Sequence, residues 1–253
     1  MTLTKKLLMI ALFLGILGMI AISSHFTTQQ AEPVPMTPVS TLPDFNQYAD
    51  VKKKKAAFFE YLLPHIQKAN SEILLERQTA KAMDITQLSK AQHTQLKALM
   101  DKYRVKDNEI TAGSQQKLLN KIDIIPPSLA LAQAANESSW GTSRFATQAF
   151  NFYGQWCFTK GCGLVPKNRS AGLKHEVRKF KSPYESVKGY MHNLNSHPAF
   201  KKVRQQRSQA RLQNATPTGL TLAKGLINYS ERKEDYIEEI SAMIRHNKLA
   251  YLD

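Results

Sequence analysis

Ile125-Pro126-Pro127-Ser128-Leu129-Ala130-Leu131-Ala132-Gln133-Ala134-Ala135-Asn136-Glu137-Ser138-Ser139-Trp140-Gly141 is the stretch on which the reading of this chain turns. A proline pair suits a helix entrance, because the first turn has no use for its N–H groups and the ring presets φ. The Leu/Ala segment that follows is a strong helix former with little polar surface. A helix without a polar face has nothing to offer water, so it is expected to be buried. It gives out in polar residues, among them Glu137. A carboxyl group at the edge of apolar surroundings has its pKa raised, since desolvation disfavours the charged form. Such a group stays protonated near neutrality and can donate to a glycosidic oxygen. Position alone leaves a second reading open: a helix-end glutamate acting as a cap or ion-pair partner.

Downstream, residues 156 to 180 are Gly-, Lys- and Asn-rich with short apolar pieces, which reads as loops plus at most a small β-hairpin. The two cysteines, Cys157 and Cys162, stand five apart with Gly161 between them. In an oxidising compartment they would close a small disulfide loop. A zinc site would need further ligands nearby, and none is present; His175, His192, His197 and His246 have no ligand spacing. No metal and no cofactor are expected. Ser182-Pro183-Tyr184-Glu185 reads as a capping box with Pro at the first helical position, opening a helix with Val187, Tyr190, Met191 and Leu194. Further helices are expected around Leu220–Leu226 and from about Lys233 to Leu249. The last carries Tyr236, Ile237, Ile240, Met243 and Ile244 on one face.

Upstream, Lys5 and Lys6 precede an apolar run from Leu7 to about Ile22. A basic start followed by such a run is the grammar of export, with residues 1–24 as a cleaved signal or an uncleaved anchor tethering through residues 7–23. Residues 25–51 are polar and Pro-rich and read as a linker. Residues 52–106 read as a helical extension: Phe58, Phe59, Leu62, Leu63 and Ile66 recur at helical spacing, with Pro64 expected to bend or split the helix. A second amphipathic stretch covers Thr86 to Tyr103. Residues 107–253 then form the main domain, mostly α (α+β). The net charge of +15 favours anionic partners, and export makes nucleic acid the poorest of these. An anionic cell envelope surface fits better, in the periplasm or anchored to the inner membrane.

The opening stretch closely resembles the signature of the N-acetylglucosaminidase domain of glycoside hydrolase family 73, the mannosyl-glycoprotein endo-β-N-acetylglucosaminidase family. There, a Pro-started Ala-Gln-Ala helix runs into Glu-Ser-Gly-Trp-Gly. Asn151-Phe152-Tyr153-Gly154 is similar to the family's Asn-Leu-Phe-Gly turn. Phe180 to Tyr190 resembles its strand-to-helix segment, and Lys224 to Tyr229, with Tyr236 behind, its closing Tyr-containing stretch. The cysteine pair and the helical N-terminal region resemble the Bax-like branch. The resemblance covers about residues 115 to 250.

It implies a lysozyme-like domain that binds peptidoglycan glycan strands and hydrolyses the β-1,4 bond on the reducing side of N-acetylglucosamine. Glu137 matches the catalytic acid, and Tyr229 the active-site tyrosine that holds substrate or stabilises the transition state. Trp140, Asn151, Phe152, Tyr153 and Tyr236 are candidates to line the glycan site, with core packing as the competing role for the aromatic pair. Two departures stand out. Ser139 replaces the usual Gly, and the expected hairpin acid is missing, since residues 160–174 hold no carboxylate. Glu176 is the candidate second carboxylate by default. A lone acid remains compatible with a substrate-assisted route, in which the sugar's acetamido group is the nucleophile. It is also compatible with a lytic transglycosylase, or with a glycan-binding protein of weak or no activity.

Overall fold

The computed structural model describes residues 41–170 and 172–253. The expected export segment and the first part of the expected linker lie outside them. Among the described residues, no helix is long and apolar enough to cross a membrane.

The helices are α1 (Val51–Ala82), α2 (Lys90–Lys102), α3 (Ala112–Lys121), α4 (Pro127–Ser138), α5 (Arg144–Ala149), α6 (Pro183–Ser196), α7 (Lys201–Leu212), α8 (Gly219–Ala223) and α9 (Glu234–His246). Short 3-10 turns occur at Phe45–Gln47, Pro198–Phe200, Leu226–Asn228 and Leu249–Leu252. Between α5 and α6 lie β1 (Trp156–Cys157), β2 (Gly163–Leu164) and β3 (Glu176–Arg178), antiparallel in the order β1-β3-β2. The fold is mostly α with a small sheet, lysozyme-like, as expected. A third strand joins the anticipated hairpin and takes its centre. Gly163 is required there, because a Cβ would fall 2.0 Å from the Val177 carbonyl oxygen.

α4 is the buried axis. Every residue from Ser128 to Ala135 is buried, including Gln133 at 0% exposure. Its start poses a problem, because the N-cap position is Pro126, which offers no side-chain cap. Unsatisfied first-turn N–H groups in a buried place are costly. Asp253 supplies the missing acceptor from 125 residues away: Oδ1 accepts from Ser128 N–H at 3.0 Å, and Oδ2 from Ser128 Oγ at 2.7 Å. The same Oδ2 takes Gly219 N–H at 2.8 Å, tying α8 to the start of α4.

The segment that delivers the chain to α4 is gripped by Arg207 on α7, a guanidinium only 1% exposed. Its Nη1 donates to the carbonyls of Asp123 and Ile124 and to Asn195 Oδ1; its Nη2 donates to those of Asn120 and Lys121. Two of these are orphan carbonyls at the end of α3. Burial lowers the Arg207 pKa and the charge of Asp123 opposes the fall. Arg211 completes the group with two bonds to the Asp123 carboxylate.

α1 corrects three expectations. It runs unbroken through Pro64, because Phe58, Leu62, His65, Ile66 and Ala69 hold both sides of the proline against the core. It is also no separate extension. Leu62 and Ile66 of α1, and Leu96 and Met100 of α2, share one apolar cluster with α4 and α6. Asn70 bonds Ile125 in both directions, at 2.9 and 3.0 Å. The boundary placed near residue 106 is therefore not a packing boundary, and α1 and α2 belong to the same compact unit as the rest. Finally, the linker reading fails at its end. Phe45, inside residues 25–51, is 1% exposed and packs edge-on against Phe58 at 5.5 Å.

Asp253→Ala is expected to lower stability by about 1–2 kcal/mol, the loss typical of a helix N-cap. Chemical denaturation with an unchanged slope is the check, and Asp253→Asn should recover part of the loss.

Candidate active site

Glu137 occupies the last turn of α4, where the helix leaves the core. The turn is stopped by three successive residues of positive φ: Ser139 (51°), Trp140 (59°) and Gly141 (77°). Ser139 N–H and Trp140 N–H both return to the Ala135 carbonyl. A left-handed residue after a helix favours Gly, so the serine here carries a backbone cost of roughly 1 kcal/mol. Gly141 has a further reason, since a Cβ would stand 2.6 Å from the Phe45 ring.

One carboxylate oxygen of Glu137 is spoken for. Tyr236 Oη donates to Oε1 at 2.7 Å. Gln133 Nε2 donates to the same Tyr236 oxygen at 2.9 Å, and Tyr190 Oη donates to Gln133 Oε1 at 2.7 Å. A buried chain of polar groups thus ends on the acid. The other oxygen, Oε2, faces Gly154, whose missing side chain leaves space: a Cβ there would lie 3.4 Å away. Burial pushes the Glu137 pKa up. The Tyr236 hydroxyl and the Asn136 amide pull it down, and the charge of Glu239 adds to the rise. The net effect is upward, which suits an acid that must hold its proton.

Tyrosines close the surroundings. Tyr229 stacks on Tyr236 with centroids 5.4 Å apart, and its hydroxyl donates to the Tyr153 carbonyl at 3.1 Å. Tyr153 stacks on Tyr190 at 3.9 Å. Burial raises the pKa of all four phenols, which keeps them neutral. Tyr229 and Tyr236 are thus brought to Glu137, as the sequence suggested.

Other expected site residues are placed differently. Asn151 is 1% exposed and builds the loop: its amide donates to the Gln155 and Arg178 carbonyls, and its Oδ1 accepts from Tyr153 and Gln155 N–H. Phe152 is 0% exposed and lies in the core, so neither residue offers a surface to a sugar. Tyr153 is buried as well, and its hydroxyl has no partner among the described residues. Trp140 is half-buried and docks on α1. Lys55 lies over its ring at 4.7 Å, and Phe58 and Phe59 meet it edge-on.

Cys157 and Cys162 form the expected disulfide. Glu176 sits beside it with both oxygens committed, to Gly161 N–H at 2.9 Å and Gly163 N–H at 2.8 Å. These amides hold its carboxyl below the usual range. The sulfurs and Glu176 converge as metal ligands would, but the sulfurs are bonded to each other. Glu176 therefore braces the hairpin, a role its neighbours in sequence do not reveal.

Two features were missed from the sequence. Glu239, one turn beyond Tyr236 on α9, is the carboxylate whose charge reaches Glu137, and Arg232 pairs with it at 2.7 Å. The helical offset from Tyr236 was a usable signal. Trp156 is 57% exposed, with one ring face on His175 at 4.0 Å, two residues from Gly154.

A lysozyme-like helical fold presenting a half-buried acid with a raised pKa is the arrangement of a glycosidase-type domain. The profile of the family described as mannosyl-glycoprotein endo-beta-N-acetylglucosaminidase matches residues 112–249. Protein bax of Escherichia coli (strain K12) is 33% identical over 215 residues, covering 83% of this chain and 75% of that protein. No solved structure matches the chain at a significant level. The chain belongs to this glucosaminidase-domain family, and membership implies glycoside hydrolase chemistry on a glycan.

Ser139→Gly should raise stability by about 0.5–1 kcal/mol by relieving the left-handed serine, read as a higher Tm. Tyr236→Phe removes a hydrogen bond that favours the ionised carboxylate. It should therefore shift the Glu137 titration to higher pH, seen by NMR of the labelled carboxyl group.

Proposed function

We propose that the chain is an exported peptidoglycan hydrolase of the cell envelope, an endo-β-N-acetylglucosaminidase cleaving the β-1,4 bond on the reducing side of N-acetylglucosamine. The observation that carries this reading is Glu137: one oxygen fixed by Tyr236, the other open beside Gly154, and a pKa raised by burial. Protonated Glu137 gives its proton to the glycosidic oxygen as the bond to the anomeric carbon breaks. Because both Glu176 oxygens are held by backbone amides, the nucleophile we assign is the carbonyl oxygen of the substrate's own acetamido group. The Glu137 carboxylate then accepts a proton from the water that opens this intermediate. Tyr229 holds the sugar or stabilises the developing positive charge. The exposed rings of Trp156 and Phe158 on the hairpin supply apolar platforms for further sugars. The excess of basic residues retains the enzyme on an anionic wall.

A second reading, a lytic transglycosylase, draws support from the same commitment of Glu176, since that chemistry also needs one acid. Digestion of purified peptidoglycan with mass spectrometry of the fragment ends separates the two. Reducing-end N-acetylglucosamine is expected; anhydro-muramic ends would establish the transglycosylase, and binding without cleavage a glycan-binding protein. Glu137→Gln should slow cleavage by about 100- to 10,000-fold, the range for a lost general acid. Cleavage by this variant at the parent rate would overturn the assignment of the acid. The parent rate should fall as pH rises through the raised Glu137 pKa, because the protonated form is the active one.

A further inference from the structure

The ends of α2 and α3 and the junction of α6 with α7 frame a cavity of about 500 Å³ that is open to solvent. Its walls carry the cations Arg104, Lys106, Lys121, Lys201 and Arg204 beside the imidazole of His197, and no carboxylate lines it. None of the residues around Glu137 takes part.

Two of these cations are fixed by carbonyls and not by acids. Lys121 Nζ donates to the Tyr103 and Arg104 carbonyls at 2.8 and 2.7 Å. Arg204 Nη1 donates to those of Leu194 and His197 at 2.8 and 2.9 Å. Carbonyl dipoles orient a cation without cancelling its charge. His197 Nδ1 accepts from Ala199 N–H at 3.2 Å, which leaves Nε2 to carry the ring proton into solvent. Of the acids on the same segments, Asp107 pairs with Lys117 and Asp123 with Arg211 and Arg207, and Asp101 at the end of α2 is not among the lining residues. Crowding is felt within the cavity, where burial and the charges of Arg204, Arg104 and Lys106 pull Lys121 down to about 8. The fold thus gathers like charges with no lining carboxylate to pair them, Arg104, Lys106 and Lys201 at the solvent-exposed rim and Lys121 and Arg204 partly buried.

We infer that this cavity is a binding site for a multiply charged phosphate group. A single carboxylate brings one charge and two acceptor oxygens, too little for this wall. A phosphomonoester brings about 1.5 to 2 negative charges and three acceptor oxygens on one phosphorus, and a diphosphate brings more of both on two linked ones. Arg104 and Arg204 supply planar forks suited to bidentate phosphate contacts, and the lysines supply point charges around them. The source of the phosphate is either a soluble molecule or a lipid headgroup.

The test is calorimetric titration of the full chain with inorganic pyrophosphate in about 150 mM salt, where long-range attraction is screened. One saturable site per chain is expected. The triple variant Arg104→Asn/Lys106→Gln/Lys201→Gln should bind at least tenfold more weakly, asparagine being chosen because Arg104 has a φ of 57°. Removing the same number of charges at the start of α1, with Lys52→Gln/Lys53→Gln/Lys54→Gln, should leave the affinity at the parent value. A thermal melt of the triple variant at or above that of the parent shows that the loss is not unfolding. Absence of saturable binding, or equal losses in the two triple variants, would refute the site. Co-sedimentation with phosphatidylcholine vesicles, with and without phosphatidic acid, then identifies the source. Acid-lipid-dependent binding lost only in the cavity variant assigns a headgroup; pyrophosphate binding alone assigns a soluble phosphate.

Discussion

A helix with no polar face can persist only if other parts of the chain enclose it on every side. α4 is such a helix, and much of the architecture answers to it. α1 and α6 are drawn together with it in one core, Arg207 fixes the segment that leads into it, and Asp253 satisfies its first turn. Two leucines, Leu129 and Leu131, at 0% exposure each stabilise the fold by roughly 1.5–3 kcal/mol through burial. The polar residue inside this axis, Gln133, is tolerated because Tyr190 and Tyr236 use its amide in both senses.

The same enclosure creates the chemistry. An acid emerging from a dry helix is only partly solvated, and the fold prefers it neutral. Since the folded-state pKa of Glu137 lies above its ordinary value, its favourable contribution is complete at low pH and is lost as pH rises through the folded pKa. The site is therefore a place of tension between stability and function, and the left-handed Ser139 beside it adds a second cost. Tyr236 moderates the first by donating to the charged form.

How much of this was legible depended on whether a residue's partner lay close in sequence. α4, α6 and α9 announced themselves through composition, Pro placement and periodicity; of the capping box read at the start of α6 the serine half is made, with Ser182 Oγ accepting from Glu185 N–H. α7 went unseen. In Lys201–Leu212 the inward positions are Val203, Arg207 and Ala210, so an arginine stands where the eye seeks an apolar residue. Phe45 was lost in a polar, Pro-rich context because its pocket is made by Phe58 and Gly141, far along the chain. Glu137, Tyr229 and Tyr236, singled out by the motif, are gathered by the fold: Tyr236 bonds the carboxyl group and Tyr229 stacks on Tyr236. Of the two roles open to Phe152 the core one holds, and Asn151 shapes the loop through bonds to the Gln155 and Arg178 carbonyls. Glu176, readable as a second carboxylate or a strand residue, has backbone amides as partners, which sequence does not display.

The cap on α4 also bears on the order in which the molecule assembles. Its acceptor is 125 residues downstream, and the bond that seats Glu137 on Tyr236 closes a gap of 99. Contacts of such sequence separation must await closure of long loops, whose entropy is lost before any reward is gained. The helix can nucleate early from its own propensity, but its two ends are completed late. Until α9 docks, Glu137 has neither the Tyr236 hydroxyl on its Oε1 nor the charge of Glu239 beside it. The surroundings that set its titration are therefore complete only with contacts of long sequence separation, and a partly folded chain carries Glu137 without them.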